Sequence, residues 1–183
     1  LGWPVSNYLT AGVVPRPMGN DNFTAAPSGA FRTRDGLINI AANRQEQFVT
    51  LCGLIGRPAL ADDPRFSERE ARKVNRAALT AAIEEALGAD TAVAWEQKLN
   101  AAGVPAGRIL GVPEIVAEPQ VAERDMLVRF DDVPDVSGTV TVTRGGFLVD
   151  GEAPRPGAPP PTLDQHRDEI LAELARTRRS IGG

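Results

Sequence analysis

The chain has 183 residues, 42% of them hydrophobic and 24% charged, which is enough apolar material for a folded core. Its net charge of −4 excludes a nucleic-acid groove or an anionic membrane surface as the expected partner. A single cysteine, Cys52, forms no internal disulfide and fits a reducing cytoplasm, and one histidine, His166, excludes a histidine-rich metal site. No apolar run approaches the roughly 18 residues needed to cross a bilayer, and no cationic segment precedes an apolar one at the start.

Residues 1–26 show no sustained period and read as an extended connector; opening on Leu1 rather than methionine suggests a piece of a longer polypeptide. Residues 29–33 and 37–41 are short β-prone runs around Asp35-Gly36, a strong hairpin signal. The period then changes. Phe48, Leu51, Cys52 and Ile55 fall at i, i+3, i+4 and i+7, the stripe of an amphipathic helix, which Gly56 and Pro58 end. Ser67 and Glu70 fit a capping box for a short helix to about Val74, and Asn75 caps a second with Leu79, Ile83 and Leu87 inward. Thr91 starts a third, with Trp95 and Leu99 on one face.

After a helical turn at residues 113–117 the pattern turns to strands. Residues 126–130 are β-prone, and residues 138–143 alternate Thr139, Thr141, Thr143 with Val140, Val142; residues 147–149 are expected to pair with them across Gly145-Gly146. Residues 153–161, APRPGAPPP, form a stiff extended stretch. A last helix over 167–176 is expected to bury Ile170, Leu171 and Leu174. The class is α+β.

No conventional catalytic set is present. Cys52 lies on an apolar helix face, the setting of an inert thiol, and His166 reads as a helix-entry residue. Neither GxGxxG nor GxxxxGK[ST] occurs. Asp62, Asp63, Glu84 and Glu85 read as loop or helix-face charges.

The ordered series FRTRDGLINIA, a helix with a Leu51-Cys52 pair, Gly56-Arg57-Pro58, DDPRF, Arg72 with Asn75, AGVPAG, Glu118-Pro119-Gln120-Val121 and LDQHRDEIL resembles the second half of the family III CoA-transferases. That group includes formyl-CoA transferase. The resemblance implies that residues 1–26 lead in from a Rossmann-like large domain outside this chain. Residues 27–110 would then form the small α+β domain, and 111–183 a return segment.

It further implies transfer of coenzyme A, a substrate and not a bound cofactor, between an acyl-CoA and a small carboxylic acid. The nucleophile is an aspartate that forms an acyl-aspartyl anhydride. That aspartate belongs to the other half, so no catalytic residue and no metal site is expected here, and the partner implied is a second copy in an interlocked homodimer. By the same resemblance, Gly19, Asn20, Asp21 and Asn22 border the substrate where formyl-CoA transferase carries a glycine-rich loop that shields the anhydride from water. Gln45 marks a candidate edge of the active site, and Arg16 and Arg44 are candidates to meet a CoA phosphate or a carboxylate.

Two other readings stand beside this one. The family contains 2-methylacyl-CoA racemases, whose helix-start glutamate aligns with Gln45, a residue that cannot abstract a proton. The third is a non-catalytic module that binds CoA or mediates assembly.

Overall fold

The Asp-Gly turn and its flanking runs form the hairpin they predict. In the computed structural model, which describes residues 2–131 and 133–181 and the side chains of that range through 177, β1 (Ser28–Arg32) pairs antiparallel with β2 (Leu37–Ala41), Arg32 opposite Leu37. The connection closes on itself: Thr33 N donates to Gly36 O at 2.9 Å, and Gly36 N to Thr33 Oγ1 at 3.2 Å. A third strand, β3 (Ala106–Arg108), joins the free side of β2 antiparallel, giving the order β1-β2-β3. Its sequence, Ala-Gly-Arg, carries no β-prone residue; the open edge of β2 recruits it.

The chain divides into two units, Leu1–Ile109 and Leu110–Gly183. The first holds the main core. Phe31, Ile38 and Ile40 supply its sheet face. Helix α2 (Gln45–Leu54) adds Phe48, Leu51 and Cys52, with Ile55 just beyond, as its stripe predicts. Helix α4 (Arg76–Leu87) adds Leu79, Ile83 and Leu87, and α5 (Ala92–Ala101) adds Trp95 and Leu99. Each such side chain, fully buried, stabilises the fold by about 1.5–3 kcal/mol. Trp95 keeps its polar atom satisfied by donating from Nε1 to Leu87 O at 2.8 Å. Helix α2 stops where expected, at Gly56 with φ +71°, and a 3₁₀ turn at Pro58–Ala61 follows.

Three local expectations change. Residues 1–26 are not wholly extended: α1 (Gly2–Ala11) opens the chain with none of its residues buried. Val5, Tyr8 and Leu9 fall at i, i+3 and i+4 on one face, a stripe too short to mark the helix in the sequence, and they are exposed along with Trp3, which lies off it. Ser67 does not cap α3 (Arg69–Val74); Glu68 holds the N-cap position with no side-chain cap bond. Asn75 does stand at the N-cap of α4, but its amide turns back to donate to Ala71 O at 3.0 Å and Arg65 O at 3.2 Å. Thr91 caps α5 as expected, accepting from Ala94 N at 3.2 Å.

In the second unit, helices α6 (Val112–Val116) and α7 (Pro119–Glu123) precede β4 (Leu127–Phe130) and β5 (Val140–Thr143), which pair antiparallel. Residues 147–149 do not extend this sheet; Val149 instead bridges Glu152 across a turn. The last helix, α8, runs Arg167–Ile181, longer than expected. Its stripe is not buried: Ile170, Leu171 and Leu174 are each 53% exposed. A two-stranded sheet of four-residue strands, with little buried besides Val128 and Val133, offers no surface wide enough to cover them.

Burial raises the Cys52 thiol to about 11, against a nearby Arg72 charge that pulls it down. The thiol is therefore inert at neutral pH, and a thiol reagent should label it only after unfolding. Below pH 9 both states hold the proton, so its contribution is fully present. Between about 9 and 11 only the unfolded thiol ionises, and stability falls as pH rises. Chemical denaturation at pH 8.5 and 11 should show wild type losing roughly 2–3 kcal/mol more than Cys52→Ala over that interval.

Candidate functional site

Residues 18–27 of the connector form a structured loop, not a free linker. Asp21 N donates to Met18 O at 3.1 Å around Gly19, whose φ is +59°. Asn22 N donates to Ser28 O at 2.9 Å and docks the loop on the start of β1. The Asn22 side-chain oxygen accepts from Thr24 N at 2.7 Å and Thr24 Oγ1 at 2.8 Å, an Asx turn that occupies it locally. Gly29 lets the loop come close: a Cβ there would lie 2.8 Å from Asp21 Oδ1 and 3.0 Å from Asn20 O. Beside this loop Trp3, Val13, Met18 and Phe23 line a largely apolar cavity of about 290 Å³, which Arg16 also borders.

Three arginines hold the loop from the other side. Arg69 Nη2 donates to Thr24 O at 2.9 Å; Arg72 Nε donates to Ala26 O at 2.8 Å; Arg76 Nη2 donates to Asn22 O at 2.6 Å and Ala25 O at 2.9 Å. Arg69 and Arg72 belong to α3 and Arg76 is the first residue of α4, on either side of Asn75. Bonds with a charged donor are worth about 1.5–3 kcal/mol each, and ordering a residue costs about 1–2 kcal/mol. Carbonyls held at four of the five positions from 22 to 26 thus offset the cost of fixing that stretch.

Arg72 is the centre of this arrangement. It is 1% exposed, and Nη1 donates to Phe66 O at 2.9 Å, Ser67 O at 3.2 Å and Gln45 Oε1 at 2.9 Å. Its guanidinium stacks 4.4 Å above the Phe48 ring. Among the described residues it makes no ion pair, and burial draws its pKa below the ordinary arginine value.

The sequence-derived candidates therefore separate into two groups. Arg16, Asp21 and Asn22 border the cavity beside the loop, with Gly19 and Asn20 at the turn. Arg44 and Gln45 line a second, open depression at the start of α2, together with Ser67, Arg69 and Arg72. Arg44 is solvent-exposed, 3.9 Å from Glu46. The Gln45 amide is committed at both ends, accepting from Arg72 and donating to Ser67 O at 3.1 Å. Arg72 links the groups by holding Ala26 and Gln45 at once. Reading the sequence for chemistry passed over Arg69 and Arg76, because their acceptors are backbone atoms that no side-chain pattern displays.

The acidic residues are engaged elsewhere. Asp63 pairs with Arg65 at 2.7 Å, a bond that holds its carboxyl below the usual range; Glu84 accepts from Arg32 N at 2.9 Å, and Glu85 pairs with Arg57 at 2.7 Å. Among the described residues no group of three potential ligands is placed to hold a metal ion. No described helix is long and apolar enough to cross a membrane.

The sequence model of CoA-transferase family III matches residues 1–167. The chain belongs to that family. It is 37% identical over 168 residues to acetyl-CoA:oxalate CoA-transferase of Acetobacter aceti, covering 92% of this chain and 42% of that protein. It is 29% identical over 178 residues to human succinyl-CoA:glutarate CoA-transferase, covering 97% and 40%. A CAIB/BAIF family protein from Brucella suis superposes with a TM-score of 0.75 at 34% identity, over 94% of this chain and 44% of that one. Rv3272 from Mycobacterium tuberculosis superposes with a TM-score of 0.69 at 34% identity, over 88% and 41%. The chain thus spans about two fifths of the length of these relatives.

Because Gly29 sets how closely the loop approaches the sheet, Gly29→Ala should push residues 20–21 outward while leaving the buried core intact. Limited proteolysis should then cut within 19–24 faster than in wild type, with the far-ultraviolet circular dichroism unchanged.

Proposed function

We propose that the complete enzyme containing this chain moves coenzyme A from an acyl-CoA to a small carboxylic acid, through an anhydride on an aspartate outside these 183 residues. The aspartate oxygen bonds to the acyl carbon and the C–S bond breaks, releasing CoA as thiolate. The thiolate then attacks the aspartyl carbonyl of the anhydride and expels the donor acid as carboxylate. The acceptor acid takes the coenzyme by the same steps in reverse. Family membership across residues 1–167 is the observation that carries this reading. The engagement of Asp63, Glu84 and Glu85 by arginines or backbone agrees with a nucleophile supplied from elsewhere.

The relatives named for oxalate and glutarate act on dicarboxylates, and we extend that substrate class to this enzyme. Arg16, beside the loop cavity, is the residue proposed to meet the carboxylate that does not react, and residues 19–22 to border the acyl group. The homodimer formed through the large domain belongs to the same proposal. Racemisation is disfavoured on two counts: Gln45 has no proton-abstracting group, and its amide is tied to Arg72 and Ser67.

The full-length enzyme, given an acyl-CoA and a labelled dicarboxylic acid, should place label in a new thioester, and hydroxylamine should trap the aspartyl adduct as a hydroxamate. Exchange of the α-hydrogen without need of an acceptor acid would assign the racemase reaction instead. Neither reaction, with CoA binding retained, would leave a binding module.

A further inference from the structure

The loop at residues 22–26 has almost no ladder hydrogen bonds, yet four of its five carbonyls accept from arginine: Asn22 and Ala25 from Arg76, Thr24 from Arg69, Ala26 from Arg72. Arg72 is an expensive residue for its place. A charge that is 1% exposed and without an ion pair among the described residues is disfavoured relative to an apolar side chain of similar size. What an apolar side chain lacks is a rigid plane of donors that reaches several acceptors at once. Here that plane joins Ala26 O from the loop, Gln45 Oε1 from the start of α2, and Phe66 O and Ser67 O from the turn before α3. The three arginines come from α3 and from the first residue of α4, so the loop is held where those two helices meet.

We infer that Arg69, Arg72 and Arg76 are positioning residues that hold residues 22–26 in one backbone conformation against the acyl intermediate, so that CoA and not water reaches it. This rests on the proposal that the adjoining residues 19–22 border the acyl group. The arginines touch no reacting atom; they act through the loop's carbonyls. Loosening the loop admits water, which hydrolyses the intermediate to free acid and regenerates the carboxylate, so thioester is lost without transfer.

The test uses the full-length enzyme with Arg69→Met, Arg76→Met and Arg72→Lys. Hydrogen–deuterium exchange of the peptide covering residues 20–26 reads the clamp. The ratio of label transferred to thioester hydrolysed, with the KM for acyl-CoA, reads its role. Losing one charge-assisted bond should raise loop exchange about tenfold and lower the transfer-to-hydrolysis ratio about tenfold, with KM within about twofold. If Arg72→Lys fails to fold, Arg69→Met carries the measurement, since that side chain is exposed.

Unchanged exchange in every variant overturns the clamp. Raised exchange with an unchanged ratio and a lower melting temperature overturns the positioning role and leaves a purely structural one. A wild-type enzyme that transfers no label removes the transferase reading and the role with it, whereas transfer by wild type with an unaltered ratio in the variants removes the role alone.

Discussion

A buried guanidinium that lacks a carboxylate must find acceptors elsewhere, and in this chain the backbone supplies them to Arg72. Three of its four hydrogen-bond partners are main-chain carbonyls, and each lies at a place where the chain changes direction: before Pro27, and on either side of the Phe66-Ser67 bond. The fourth is the Gln45 amide at the head of α2. The connector, the sheet's leading helix and the turn into α3 converge on one side chain. The core forms from hydrophobic burial, but its geometry next to the connector is set by this residue. Removing it would strand several acceptors in a site already closed to water, which is costlier than losing the bonds themselves.

The candidate site follows from that constraint. The loop at residues 18–27 is fixed against the first unit by Arg69, Arg72 and Arg76. Asp63 and Glu85 pair with arginines, whereas Arg69, Arg72 and Arg76 are turned onto main-chain carbonyls of the loop. Arg16 borders the cavity beside the loop, and Arg44 borders the open depression at the start of α2.

Elements built from local signals were legible in the sequence. The stripe of Phe48, Leu51, Cys52 and Ile55 and the Asp35-Gly36 turn specify their structures without help from distant residues. Elements that depend on what lies opposite were not. Strand β3 exists because β2 has an open edge, and the short stripe of Val5, Tyr8 and Leu9 on α1 buries nothing within the described residues. Ser67 and Asn75 are good capping residues by type, yet α3 starts one residue later, with Glu68 at its N-cap, and the Arg65 and Ala71 carbonyls take the Asn75 amide. The arginine clamp was the least visible feature. Arg72 stood in a recognisable RxxN pair, but carbonyl acceptors belong to every residue and leave no trace in side-chain identity.

Asp35 sits at the tip of the hairpin and also accepts from Ala92 N at 2.8 Å, at the first residue of α5, 57 positions along the chain. The same carboxylate that suits a tight reversal therefore anchors the start of a distant helix. Grafting a different reversal of equal length from another protein would preserve the strand register and still remove that bond from the first turn of α5, leaving only the Thr91 cap. In this fold the hairpin tip and α5 form one unit of exchange, and any chimera must carry both or neither.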